Sequence, residues 1–269
     1  MIFLRLGMTE STLLFLHYLD KNGFDDINDV TKQHVMLNWL FTTSGFYDKE
    51  IKGNFFNFDS HEILNKSRVY QTYFDKLLEF IQLPDVFVEF NYHKINPWLC
   101  DIRDNQFREL FKVCESPPSL FEFMANKNVI IINSLSPLMK EQFDTGNVFK
   151  AVPEFPQNIS SIHCVQCGYT FFNSGPDNNI LETCDSIFYE VMQKQDLFDA
   201  IIISVGAYSS LLTQKLSGLE LPIHVIGGLL PMHFGIATKR CLAKNEYFIT
   251  VPDSYKPPNH HLIEDGCYW

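Results

Sequence analysis

The chain has 269 residues, a formal net charge of −11, 46% hydrophobic and 20% charged residues. That balance excludes a disordered chain, and so acidic a surface excludes a general binder of nucleic-acid backbone while leaving room for a site that holds one small anion. No run approaches the ~18 apolar residues of a membrane span, the start MIFLRLGMTE lacks the pattern of a secretory leader, and seven cysteines, an odd number in mostly apolar contexts, point to free thiols in a reducing, cytoplasmic compartment.

IFLRL (2–6) reads as the first strand; it ends at Gly7 and is followed by Thr9, Glu10, Ser11 and Thr12. The stretch 20–65 is polar and aromatic and reads as a small insertion or helical cap near the N-terminus. Residues 66–82 place Val69, Tyr70, Tyr73, Phe74, Leu77, Leu78 and Ile81 at spacings of three and four, which predicts an amphipathic helix. DVFVEF (85–90), NVIIIN (128–133) and SIHCVQC (161–167) follow as strands, with Ser134 and then Ser136-Pro137 opening a helix after the second of them. Residues 180–194 and 208–217 repeat the helical spacing, and DAIIISV (199–205) and LPIHVIG (221–227) complete the strong strands. YFITV (247–251) is a weaker strand, and 252–269 reads as an extended C-terminal tail limited by proline. Aliphatic strands alternating with amphipathic helices predict a single α/β domain over 1–269, Rossmann-like, with a mostly parallel sheet and helices on both faces.

In such a fold ligands bind beyond the carboxyl ends of the strands, where helix starts present unpaired N–H groups suited to phosphate. Four predicted strands end in small or hydroxyl residues: Gly7 with Thr9 and Ser11; Ser134 with Ser136; Gly206-Ala207; and Gly227-Gly228. Each alone reads equally as an ordinary turn. Together, if the four strands are neighbours, they form one polar floor. Neither a Walker loop nor GxGxxG is present. His163, Cys164 and Cys167 form HCxxC, but without the second ligand pair of a structural zinc site.

FDAIIISVGAYSSLLTQKL followed by LPIHVIGGLLPMHFGIATKR resembles a family of Rossmann-like proteins related to GT-D-type glycosyltransferases. The matching residues are Gly206-Ala207-Tyr208, Gly227-Gly228, Phe234-Gly235-Ile236 and Lys239-Arg240. NPW (96–98) and RLGMTES near the start are weaker matches. The likeness covers roughly 1–19 and 92–240, and 199–240 is its most specific part. It implies a nucleotide-sugar donor (a UDP- or GDP-sugar), a glycan or other acceptor, no organic cofactor, and a donor site drawn from Arg5, Gly7, Thr9, Ser11, Ser134, Ser136, Gly206, Ala207, Tyr208, Gly227, Gly228, Lys239 and Arg240. The family's Asp-x-Glu, which serves the metal and the diphosphate, reads Met8-Thr9-Glu10 here, so Glu10 alone remains to hold Mn²⁺ or Mg²⁺.

Each candidate carries a plainer alternative. Glu10 contacts metal or acceptor, or it complements its helix dipole. Arg5, inside an apolar strand, pairs with a buried carboxylate or reaches phosphate. Lys239 and Arg240 neutralise a departing diphosphate, or they cap a solvated helix end. His233 is an acid/base or phosphate ligand, or a packing residue. Tyr208 stacks on a base or ribose, or staples its helix to the sheet. The alternative to transfer is a non-catalytic nucleotide or sugar-phosphate binding module.

Overall fold

The computed structural model describes residues 1–23, 30–42, 44–51, 67–90, 106–114 and 116–269. Seven strands form one sheet: β1 (Ile2–Leu6), β2 (Val86–Phe90), β3 (Lys112–Val113), β4 (Asn128–Ile132), β5 (Ser161–Val165), β6 (Ala200–Ile203) and β7 (Ile223–Val225). Their order is β3-β2-β1-β7-β6-β4-β5, and every neighbouring pair is parallel. This is the Rossmann-like α/β architecture expected from the alternation of strands and helices.

All four residues of β6 are buried. The pleat explains why: Ile201 and Ile203 face one apolar core while Ala200 and Ile202 face a second on the other side. A strand covered on both faces needs a continuous aliphatic run rather than an alternating one. The first core is closed by α1 (Met8–Lys21), α2 (Val30–Thr42), α3 (Arg68–Phe80), α7 (Ile180–Met192) and α8 (Tyr208–Leu216). The second is closed by α4 (Leu120–Met124), α5 (Ser136–Asp144), α6 (Asn147–Ala151) and the 3-10 turn Leu230–Phe234. The helical stripe expected over 66–82 faces the first core, where Tyr70, Tyr73, Phe74, Leu77 and Ile81 are buried.

Connections leaving the four central strands alternate between faces. After β1 and β6 the chain enters α1 and α8 on the first face; after β4 and β7 it enters α5 and the 230–234 turn on the second. Adjacent strands whose connections diverge leave a crevice at their carboxyl ends. Here the order β1-β7-β6-β4 puts three such divergences side by side.

The structure revises several boundaries. Within 20–65, the described residues join the first core: Leu37, Leu40 and Phe41 of α2, and Phe46 and Tyr47 beyond it, are fully buried. The strand expected over 247–251 shrinks to β9 (Ile249–Thr250), which pairs with β8 (Ile236–Ala237) in a separate two-stranded sheet. The tail is not extended. It folds as 3-10 turns at Asp253–Tyr255 and His260–Leu262 and as a kinked turn at Glu264–Gly266, and it buries Ile263 and Trp269 in the second core. Two-residue β3, exposed throughout, has no apolar signature to read. NPW at 96–98 lies outside the described residues. No helix among the described residues is long and apolar enough to cross a membrane.

Candidate anion-binding site at the carboxyl edge of the sheet

A cavity of about 970 Å³ opens at the carboxyl ends of β1, β7, β6 and β4. The four strand ends singled out in the sequence are therefore neighbours and share one floor. Of the sequence-predicted residues, Arg5, Gly7, Thr9, Glu10, Ser134, Gly206, Tyr208, Gly227, Gly228 and Arg240 line it.

The glycines make room for the protein's own side chains and backbone. A Cβ at Gly7 would overlap the Glu10 carboxylate, and one at Gly227 would overlap the Arg5 guanidinium. At Gly228 it would lie 2.9 Å from the Tyr268 ring and 3.2 Å from an Arg240 nitrogen. Gly206 has φ +57, and a Cβ there would collide with the Ser44 carbonyl. That carbonyl accepts the Ala207 N–H at 2.8 Å, which docks the chain beyond α2 onto the start of α8. The sequence expectation was direct approach of a ligand to bare backbone. Instead, the small residues let two guanidinium groups and a carboxylate fold down to the sheet edge.

Arg5 sits opposite Glu89 in the β1–β2 register, with Nε 3.6 Å from the carboxylate, and both groups are partly exposed. An ion pair so wetted contributes little to stability, and the same guanidinium reaches across to Gly227. The carboxylate beside Arg5 is therefore a partly exposed one rather than a buried one, and Arg5 also lines the cavity. Arg240 reaches Gly228 from the other side and lies over the Tyr268 ring at 4.3 Å. Arg5 and Arg240 are the basic side chains of the described lining; Glu10 is its one carboxylate.

Glu10 stands in the first turn of α1 and is 7% exposed. Burial pushes its pKa up, and hydrogen bonds from its own backbone N–H and from the Ser44 hydroxyl offset this in part. The described lining therefore carries two guanidinium groups, one of them beside the Glu89 carboxylate, and a carboxyl biased toward its neutral form, in a chain whose net charge is −11. Among the described residues no three His, Cys, Asp or Glu side chains gather to hold a metal ion. A single buried, proton-biased carboxylate does not make a cage for Mn²⁺ or Mg²⁺.

Helix caps follow the same division except at α6, which starts at Gly146 without a side-chain cap although it lies away from the cavity. Away from the cavity, Ser67, Ser119 and Asn179 cap α3, α4 and α7 with their side chains. The helices that start at the cavity, α1 at Gly7, α5 at Leu135 and α8 at Ala207, have no side-chain cap.

Five predicted residues do not reach the lining. Ser11 and Ser136 are fully buried, and the Ser136 hydroxyl donates to the Val165 carbonyl at 3.0 Å. Ala207 is buried beneath Tyr73, whose hydroxyl donates to its carbonyl at 3.1 Å. Lys239 turns away to Asp265, with the carboxylate at 3.8 Å. His233 packs edge-on against Phe121, with Nδ1 3.1 Å from the Leu229 carbonyl, and burial lowers its pKa. Its packing alternative is the one the structure shows. Tyr208 is 3% exposed and lines the cavity beside Gly45. Cys164 donates to the Ser136 carbonyl, burial raises its pKa to about 11, and His163 meets Ser161 at 3.0 Å.

Sequence reading missed one whole wall. Asn38, Trp39, Thr42, Ser44 and Gly45, at the end of α2 and just beyond, line the cavity. Their signal was the hydroxyl-rich TTSG at 42–45, the same strand-end grammar placed after a helix. Tyr268 was also missed as a contact, because 252–269 reads in sequence as an extended tail. Comparison with protein-family models, with curated proteins and with solved structures gives no match.

Proposed function

We propose that the chain is a glycosyltransferase that binds the diphosphate of a nucleotide-sugar at the Gly227–Gly228 turn and passes the sugar to an acceptor hydroxyl. The observation that carries this is the placing of Arg5 beside Gly227 and Arg240 beside Gly228, consecutive glycines in the lining of a large cavity. Two guanidinium groups offer paired donors matched to two phosphoryl groups. The likeness of 199–240 to GT-D-related proteins supports the same reading, since Arg240 and both glycines fall in its motifs, while Arg5 falls in the weaker match near the start.

In the transfer step an acceptor hydroxyl forms a bond to the anomeric carbon while the bond from that carbon to phosphate oxygen breaks. Negative charge grows on the departing diphosphate, and preorganised cations there lower the barrier. Arg5 and Arg240 supply those cations. The acceptor must lose a proton. Glu10, with its pKa raised by burial, is a better base near neutrality than an exposed carboxylate. In this reading the acceptor enters past Trp39, Thr42 and Ser44, which line the cavity. No step is assigned to a metal ion.

One observation favours a second reading, a binding module without turnover. The absence of a second carboxylate in the described lining suits binding better than chemistry. Titration with UDP- and GDP-sugars, with and without Mn²⁺, while following heat together with sugar transfer or hydrolysis, separates the two. Heat with transfer supports the enzyme. Heat without turnover across many acceptors supports the module, and no heat with any donor removes both.

A further inference from the structure

Residues 266–269 fold back over the cavity as a hook. Asp265 and Gly266 take left-handed φ values of 56 and 71, which reverses the chain. Beyond them, Arg240 N–H donates to the Cys267 carbonyl at 3.1 Å and Lys239 N–H to the Trp269 carbonyl at 3.2 Å. The Trp269 indole is 7% exposed, packs edge-on against Tyr169, and donates to the Tyr169 hydroxyl at 3.0 Å. Tyr169 in turn hydrogen-bonds with Ser134 in the cavity wall. The hook is thus fixed at both ends, by backbone at 239–240 and by Trp269 at the β4 side of the cavity.

What this anchoring holds in place is Tyr268. Its ring lines the cavity, lies 4.3 Å from the Arg240 guanidinium carbon, and packs against Gly228. The Arg240 Nε points at the Cys267 sulfur at 3.1 Å. A long, largely exposed arginine ordinarily loses much rotamer freedom when it grips a ligand. Here one face of the guanidinium is stacked and one edge is held before any ligand arrives, which reduces that cost.

We infer that Tyr268 is a positioning residue for anion binding: the 266–269 hook prearranges Arg240 so that, with Arg5, it clasps the two phosphoryl groups of a nucleoside diphosphate. This rests on the proposed diphosphate site but goes beyond it, because it makes a segment outside the resembling 199–240 block part of that site. Tyr268 acts through Arg240, so its effect must vanish when Arg240 is gone.

A double-mutant cycle tests this by calorimetric titration of UDP and of inorganic pyrophosphate into the wild type, Tyr268→Leu, Arg240→Ala and the double variant. Leucine fills much of the same space without a π face, and Tyr268→Phe is the conservative control. The expected result is roughly five- to tenfold weaker binding for Tyr268→Leu, wild-type affinity for Tyr268→Phe, and no further loss when Tyr268→Leu is added to Arg240→Ala. Melting curves establish that each variant is folded. Equal affinity of wild type and Tyr268→Leu, or fully additive losses in the double variant, overturns the positioning role while leaving the diphosphate site intact. A wild type that binds neither probe overturns both.

Discussion

Glu10 and His224 show how burial sets the chemistry of single residues. Glu10 is held at the cavity with its pKa raised by desolvation, so its native form keeps a proton at pH values where the unfolded chain has lost it. Ionised Glu10 therefore weakens the fold progressively as pH rises above the ordinary carboxylate value. Glu10→Gln keeps the shape and removes the charge. It is expected to melt at or above the wild-type temperature at pH 7 while losing sugar transfer, which calorimetry and a transfer assay check together. His224 in β7 lies on the second face, between Phe3 and Phe123, and its buried Nδ1 has no hydrogen-bond partner among the described residues. Burial lowers its pKa to about 4. The unfolded imidazole takes up a proton near 6.5 and the native one only near 4, so stability falls as pH drops through that window. The loss reaches about 2–3 kcal/mol near pH 4. His224→Phe should flatten that part of the stability profile in urea titrations between pH 7 and 4; an unchanged slope would place the titrating group elsewhere.

At the scale of elements, the strand ends decide what the sheet can hold. The aliphatic runs of β1, β4, β6 and β7 were readable because strands covered on both faces require them. The helices over 66–82 and 180–194 were readable because each buries one stripe. The small residues at the strand ends were readable too, but their use was not. Nothing local in the sequence says that Gly206 makes space for the Ser44 carbonyl, or that Gly227 makes space for Arg5, because those partners are 162 and 222 positions away in numbering. The α2 wall stayed hidden for a related reason. Its signature, a hydroxyl-rich turn after an aromatic stretch, acquires meaning only when α8 docks on it. Gly206→Ala tests the docking directly. Both the φ of +57 and the carbonyl in the way oppose a methyl group, so a loss of about 1–3 kcal/mol is expected in chemical denaturation. A change within a few tenths would show that the contact yields.

Across the whole molecule, a net charge of −11 surrounds a cavity whose described charged lining is two arginines and one carboxyl biased toward neutrality. Long-range repulsion and local attraction then act in opposite directions on an anionic ligand. Salt, with a Debye length of about 8 Å at physiological ionic strength, screens the distant negative charges and weakens the pull of the two partly exposed arginines as well, so its two effects oppose each other. Diphosphate binding is accordingly expected to be only mildly salt-dependent between 50 and 200 mM, unlike a surface ion-exchange effect; titrations at the two ionic strengths check this. The fold class was legible from the order of apolar runs. The adjacency of β1, β7, β6 and β4, on which the shared floor depends, was not, because strand order is set by long-range pairing. The most direct measurement is a crystal structure of the protein with UDP bound. Density for the two phosphoryl groups between Arg5 and Arg240, over Gly227 and Gly228, is the expected result; UDP bound away from the carboxyl edge of the sheet, with both arginines untouched, would contradict it.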